Sequence, residues 1–354
     1  MNILILMDMP LFPYRIYAYN ELAKRGYHLT VVSLNNADVS YDIKCNFKHI
    51  RLSYIQFIGF RFIRGFSKIN FDDYSVIIVA PNLRLLNYYK FYRKKYWNKL
   101  IGWGHHKGCS TGNSLASWMR LHFFKKFKAL VFYDPLTKEE YIHSGFDSKN
   151  LFVANNTQYV DNKRVRLEKG KTYFLYVGRI QERKRLDLAI LAFSELKHQV
   201  SDEKLKFKIV GGGNFDDLYK LAKELKIEND IIFIGPTHDE DKLSELYSSA
   251  IAYVSPGHVG LGVLHSFAFG VPVITCLERR HSVEFGNCKP ENSFVVQFNK
   301  ESIAESMITL YQNKELQQQM SLAAYNYYNK YCTIRIMVDG LEDAIIYSTR
   351  KRHF

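Results

Sequence analysis

Three stretches in the second half of the chain hold residue types that can handle an anion. In Val177-Gly178-Arg179-Ile180-Gln181-Glu182-Arg183-Lys184-Arg185-Leu186-Asp187, an apolar run ends at Gly178, Arg179 follows at once, and Lys184 comes five residues later. Arg179 is expected at the carboxyl edge of a strand, where open α/β sheets bind ligands. Lys184 is expected where a helix begins, and two cations beside a helix N-terminus suit a diphosphate. Such a pair would also stabilise negative charge building on a departing diphosphate. In Val210-Gly211-Gly212-Gly213-Asn214, the glycines Gly211, Gly212 and Gly213 lie between a strand and a helix predicted over 216–225. Glycines there let the backbone approach a phosphate or ribose and expose N–H donors. The third stretch, Val254 to Ile274, reads strand, glycine-rich loop, short apolar helix, Gly-x-Pro turn, strand. Its loop is Gly257, His258, Val259, Gly260, Leu261 and Gly262, and His265 inside the helix can hydrogen-bond a ribose hydroxyl. Taken singly, each piece also has an ordinary structural explanation: solvated cations, a tight βα turn, a core histidine.

The elements that must position these residues follow from short apolar runs separated by helical segments. Strands are predicted over 2–7, 28–33, 74–80, 100–103 and 129–133, with a helix over 14–25. The pattern then restarts, with strands over 173–177, 206–210, 231–234, 252–254 and 272–275 and a helix over 185–197. Helical segments over 300–331 and 334–350 close the chain. Buried strands alternating with helices imply a parallel sheet covered on both faces. Doubled in this way, the pattern predicts an α/β chain of two doubly wound domains, which suits a length of 354 residues. The polar stretch Gln158 to Lys171 joins them. No apolar run approaches the ~18 residues needed to span a bilayer. The opening Met1 to Met9 reads as a buried strand, not a leader. Five scattered cysteines without a C-x-x-C pair fit a reducing compartment, so the cytoplasm is expected.

In their order and spacing the three stretches resemble the retaining GT-B glycosyltransferases of sequence family four, the glycosyl transferases group 1. The resemblance is specific over 173–275, where Phe233-Ile234-Gly235 and Leu246-Tyr247-Ser248-Ser249-Ala250 also fit, and looser before it. It implies a GT-B fold, two Rossmann-like domains facing across a cleft. Residues 1–160 would bind the acceptor, 161–333 the nucleotide sugar, and a helix in 334–354 would cross back to the first domain. Carried over, Arg179 and Lys184 grip the donor diphosphate. Gly178, Gly211 to Gly213, the loop Gly257 to Gly262 and His265 line the donor. In Trp103-Gly104-His105-His106-Lys107-Gly108, His105 is expected to act at the donor sugar. His106 is expected towards the acceptor, as is Arg15 of the first βα loop. The third stretch departs from the family at one point. Two glutamates eight positions apart, the first on the sugar and the second on the ribose, are replaced here by Gly257 and His265. The resemblance further implies sugar transfer with retention, in surface polysaccharide or lipopolysaccharide synthesis. It implies no cofactor and no metal, the nucleotide sugar being a substrate. Asp239-Glu240-Asp241 matches a D-x-D metal motif, but it precedes a predicted helix whose dipole favours acids there. A non-catalytic nucleotide-sugar-binding module and a sugar-nucleotide epimerase of the same architecture are the alternatives.

Charge is unevenly spread. Up to Val160 there are 22 lysines and arginines against 10 acids, and after it 27 against 25. The run Arg84 to Lys128 interleaves cations with Tyr88, Tyr89, Phe91, Tyr92, Tyr96, Trp97, Trp118, Phe123, Phe124 and Phe127. An anionic membrane surface is therefore an expected partner of the first domain, with these rings at the interface. That placement makes the chain peripheral at the inner membrane face. Nucleic acid is not expected, because the phosphate motifs lie in the neutral half. The remaining partners are the nucleotide sugar and a glycan or lipid-linked acceptor.

Overall fold

A computed structural model describes residues 1–34, 43–80, 82–104, 114–161, 165, 167, 170–277 and 281–350. Its strands are β1 (Asn2–Leu6), β2 (His28–Leu34), β3 (Lys48–Leu52), β4 (Tyr54–Phe57), β5 (Phe60–Ile63), β6 (Val76–Val79), β7 (Leu100–Trp103), β8 (Ala129–Phe132), β9 (Leu151–Val153), β10 (Tyr173–Val177), β11 (Lys206–Val210), β12 (Ile231–Ile234), β13 (Ala250–Val254), β14 (Val273–Cys276) and β15 (Ser293–Val296). Its α-helices are α1 (Pro13–Lys24), α2 (Lys94–Trp97), α3 (Ser114–Phe124), α4 (Pro135–His143), α5 (Leu186–Gln199), α6 (Asp216–Glu224), α7 (Glu240–Ser248), α8 (Gly262–Ala268), α9 (Lys300–Gln312), α10 (Lys314–Tyr331) and α11 (Ile334–Thr349). The chain divides into one unit of Met1–Asn156 with Ile334–Phe354 and a second of Thr157–Thr333. The division thus falls after Asn156, not after Val160. β9 still pairs with β8, whereas Thr157 donates to the Cys332 carbonyl and Gln158 accepts from the Tyr328 hydroxyl at 2.7 Å.

The first unit is built on a seven-stranded sheet of order β3-β2-β1-β6-β7-β8-β9, every ladder parallel. Side chains alternate across it as the pleat requires. Ile3 and Ile5 enter one apolar layer with α1 and α11, while Leu4 and Leu6 enter the opposite layer. That opposite layer holds Tyr88, Phe91, Tyr96, Phe123, Phe124 and Phe127, all buried. These rings are core, a correction to their expected place at a membrane interface; of the run, Tyr89 and Trp118 are exposed. Charge interleaved with rings did not reveal burial because most of the described cations, such as Arg84, Arg93, Lys94, Lys95 and Lys125, stand exposed, while Lys99 and Lys128 are turned inward.

α11 locks onto this unit. Arg25 at the end of α1 pairs with Glu342 at 2.6 Å and Asp339 at 2.7 Å, and the Tyr27 hydroxyl donates to Glu342 at 2.8 Å. Its backbone comes so close to β9 that a Cβ on Gly340 would lie 1.9 Å from the Val153 carbonyl oxygen. Alanine normally favours a helix over glycine by ~1 kcal/mol. Here the blocking atom is backbone, so overpacking of ~1–3 kcal/mol wins. Gly340→Ala is expected to lower the melting temperature of the first unit, read by its circular dichroism transition.

The second unit has a six-stranded sheet of order β12-β11-β10-β13-β14-β15, again all parallel. Its core joins both faces, with Phe174, Phe193, Phe207 and Tyr247 fully enclosed. The single helix expected over 300–331 is two. Asn313 interrupts it, with a non-helical φ of −102° and ψ of 91°, and its side chain accepts from the Leu316 N–H to cap α10. Asp239 likewise caps α7, accepting from the N–H groups of Asp241 and Lys242. The D-x-D triplet is thus a helix start. Among the described residues, no helix is long and apolar enough to cross a membrane.

Candidate donor site

In the second unit, β10 lies between β11 and β13, so the crossovers leave in opposite directions at its carboxyl end. Such a switch point opens a crevice at the strand ends. The three stretches singled out in the sequence all begin there, at the ends of β10, β11 and β13.

The first two are stitched together by backbone. The Gly178 N–H donates to the Val210 carbonyl at 2.9 Å, and the Ile180 N–H to the Gly212 carbonyl at 2.8 Å. The strand pairing so continues into the loops, and it leaves no room for side chains. A Cβ on Gly211 would fall 1.8 Å from the Gly178 oxygen. From this platform Arg179 stands exposed, its carbonyl held by the Tyr176 hydroxyl at 2.9 Å. The chain then makes a 3-10 turn over Glu182–Lys184 and passes through Arg185 at φ 52° before α5 starts. This left-handed residue, rare outside glycine, sets Lys184 inward.

The third stretch docks on that turn. The Gly257 N–H donates to the Lys184 carbonyl at 3.1 Å and the His258 N–H to the Arg183 carbonyl at 2.8 Å. In return, the Lys184 ammonium donates to the His258 carbonyl at 2.5 Å, and the Arg183 guanidinium donates to His258 Nδ1 at 3.1 Å. Gly257 is buried, and a Cβ there would meet the Arg183 oxygen at 2.3 Å and the Lys184 carbonyl carbon at 2.7 Å. Position 257, where the resemblance leads one to expect a glutamate, therefore has backbone where a side chain would start.

Burial pulls Lys184 down to about 8, assisted by Arg183 and Arg179 and opposed by the buried Glu284. It remains a cation at neutral pH. Burial first, then Arg183 and Lys184, lowers His258, so that ring is held neutral beside two cations. His265 is buried too, against Tyr247 and Phe269 at ring distances of 4.7 and 5.4 Å, and burial lowers it to about 4. It is a neutral imidazole, unable to act as a base that gains a proton near pH 7.

Three residues absent from the sequence reading belong to this neighbourhood. Arg183 adds a third cation. His281 accepts from the Val259 N–H at 3.3 Å, pairs with the Cys276 carbonyl at 2.7 Å and stacks on Phe285. Glu284 is 3% exposed, is met by the Ser282 hydroxyl, and favours the charged form of Lys184. The signal for Arg183 was adjacency to Lys184; His281 and Glu284 lie in a stretch with no recognisable spacing.

In the first unit, Arg15 lies in the first turn of α1, not in the loop before it, and is 5% exposed. Its guanidinium lies 4.8 Å from the Trp103 ring, 4.9 Å from Tyr133 and 5.2 Å from Tyr14, and donates to the Tyr133 hydroxyl at 2.6 Å. It lines a small recess at the carboxyl ends of β1 and β6 with Asp8 and Ala80. The rings lie over the guanidinium faces, and the Tyr133 hydroxyl takes one of its N–H edges. His105 and His106 lie outside the described residues.

Two parallel doubly wound sheets, the second with a cationic crevice at its switch point, define a GT-B chain. Residues 159–327 match the model of the family described as glycosyl transferases group 1. Over 244 residues the chain is 31% identical to a glycosyltransferase of Haemophilus influenzae, in an alignment covering 63% of each. The chain thus spans less than two thirds of that curated relative, and 30% or less of the others it matches. A glycosyltransferase structure from Rickettsia africae superposes with a TM-score of 0.74 at 14% identity, over 99% of both chains. An Anabaena protein crystallised with UDP-glucose superposes at 0.65 and 12% identity, over 98% of this chain and 100% of its own. The fold is GT-B.

Proposed function

We propose that this chain transfers a sugar from a nucleotide-diphosphate sugar to a glycan or lipid-linked acceptor, with retention at the anomeric carbon. The second unit binds the donor and the first the acceptor, in the making of a surface polysaccharide or lipopolysaccharide. The observation that carries the reading is the meeting of Arg179, Arg183 and Lys184 with the loops Gly211–Gly213 and Gly257–Gly262 at one switch point. Cations there oppose the charge on the leaving diphosphate. As the bond from the anomeric carbon to the diphosphate oxygen breaks, the acceptor oxygen bonds to that carbon from the same face. Its proton passes to the departing phosphate oxygen, so a glycosidase-like carboxylate pair is not required. No divalent ion is assigned a role, and EDTA is expected to leave turnover unchanged.

The test is hydrolysis and transfer with a panel of UDP-, GDP- and dTDP-sugars, starting from UDP because the Anabaena neighbour holds UDP-glucose. Turnover of one donor supports the reading, and no binding of any donor sinks it. A second reading, a donor-binding module without turnover, is favoured by one observation. The space of the missing sugar-contacting carboxylate is filled by backbone at Gly257. Binding without release of nucleoside diphosphate would select it.

The position of Lys184 gives a pH dependence with a definite sign. Its free-state value is about 8, and a bound diphosphate raises it. Below about 8 the ammonium is already charged and affinity is flat. Above that value binding must take up a proton, so affinity falls by up to about tenfold per pH unit until the raised value is reached. Calorimetry of UDP binding across this range should show the inflection, and Lys184→Arg should remove it.

A further inference from the structure

The antiparallel ribbon of β4 and β5 presents two unlike faces. The pairs Ile55↔Phe62 and Phe57↔Phe60 lie on one face, and Tyr54↔Ile63 and Gln56↔Arg61 on the other. The second face is fastened to the first unit. Ile63 is buried, and its N–H donates to the Asn87 side chain at 2.6 Å. Arg61 donates to the Asp8 carbonyl at 3.1 Å, packs over the Tyr54 ring at 4.8 Å, and donates its backbone N–H to the Arg84 carbonyl at 2.8 Å. The first face is therefore held outward. Ile55 is 49% exposed, Phe57 74%, Phe60 45%, Phe62 51%, and Ile58 at the tip 79%. Five contiguous apolar side chains standing in water mark a docking surface.

The tip adds an independent observation. Ile58 and Gly59 form the two-residue turn with φ of 43° and 79°. Both central positions with positive φ suit Asn-Gly, and a β-branched residue at the first is an outlier. A strained isoleucine at the most exposed point of the ribbon does not serve the turn, and points to a contact outside the chain.

Charge identifies the occupant. From Ile43 to Phe71 the sequence has Lys44, Lys48, Arg51, Arg61, Arg64 and Lys68 and not one acidic residue. Arg51, Arg64 and Lys68 are exposed, and the Arg64 N–H closes the ribbon base on the Ser53 carbonyl at 2.9 Å. An apolar tip above a collar of cations matches acyl chains beneath anionic headgroups, each cation near the surface adding ~1 kcal/mol of attraction.

We propose that the ribbon Tyr54–Ile63 is a membrane anchor, its Ile55, Phe57, Ile58, Phe60 and Phe62 face entering the interfacial region of an anionic bilayer. The anchor stands independently of the sugar-transfer reading, since its test needs no donor. The full chain is sedimented with vesicles of phosphatidylglycerol and phosphatidylethanolamine, and separately with phosphatidylcholine alone. Expected is strong partition to the anionic vesicles, partial release by salt, and at least tenfold weaker partition for the triple variant Phe57→Ser, Ile58→Ser, Phe60→Ser. Every changed side chain is exposed, and circular dichroism checks that the variant is folded. A second readout is Ile58→Trp, whose emission should shift to the blue on anionic vesicles. Unchanged partition of the triple variant, or a tryptophan that stays in water, overturns the anchor. A wild-type chain that ignores vesicles, but forms a dimer which the triple variant loses, overturns it in favour of a second copy as occupant.

Discussion

Lys184→Ala is expected to lower kcat by roughly 100- to 1000-fold, the loss seen when one preorganised charge-stabilising group is removed from a developing anion. Arg179→Ala is expected to do the same, because both cations face the leaving diphosphate in the proposed reaction. The two differ in what else they hold. Arg179 is exposed and makes its one described contact through its carbonyl, so its loss leaves the loops in place. Lys184 also holds the His258 carbonyl, so its loss frees one end of the glycine-rich loop and should raise KM as well. Arg183, whose guanidinium is shared between Gln181 at 2.9 Å and His258 at 3.1 Å, should cost about tenfold or less. Kinetics of donor hydrolysis without acceptor read all three variants. Equal, small effects would remove the diphosphate from this crevice and leave the cations as solvated surface.

Placing a glutamate at position 257, where the resemblance expects one, should harm the protein. Gly257→Glu places a Cβ against the backbone of Arg183 and Lys184 at 2.3 and 2.7 Å. Neither atom belongs to a flexible side chain, so one loop must move off the other. The Gly257 and His258 N–H bonds that align Lys184 break in the process. Donor affinity is expected to fall about 100-fold or more, and Gly257→Ala, which adds no charge, should share most of the loss. Titration with UDP separates the possibilities. A gain for Gly257→Glu would mean that the loops are free to part and that the glycine is a lesion in an otherwise ordinary family site. A loss for both variants means that the loop closure replaces the carboxylate as the way the crevice is shaped.

The sequence was most legible where a strand is buried on both faces and ends in a glycine. Val177-Gly178, Val210-Gly211 and Val254 to Gly257 carried the second sheet and the crevice together, because one apolar run fixes the strand and its end fixes the loop. Strands covered less fully were missed. β3 has no fully buried residue, β9 has three residues, and β15 has only Ser293 fully buried, so none gives an apolar run. The β4–β5 ribbon was hidden for a different reason: its apolar alternation faces water, the reverse of the usual rule. In the crevice, residue types were readable but contacts were not. Nothing in Gly257 alone says that Arg183 lies 2.3 Å from its missing Cβ. Nothing in Arg15 says that two rings from distant segments enclose it beside its neighbour Tyr14, since Trp103 and Tyr133 are brought there by β7 and β8.

The route of the chain has a consequence for the order of manufacture. The first unit is interrupted: Thr157–Thr333 form a complete body, and only afterwards does α11 arrive against β6, β7, β8 and β9, over Val76, Ile78, Ile101, Ala129 and Val131. A ribosome working from the amino end therefore releases the inserted body ready to close while the older half still shows the β6–β9 part of that sheet face bare. The first-made segment is the last to be finished. During that interval the nascent chain depends on chaperone cover or on speed of elongation, and a stop codon anywhere before Ile334 would leave the bare face permanent.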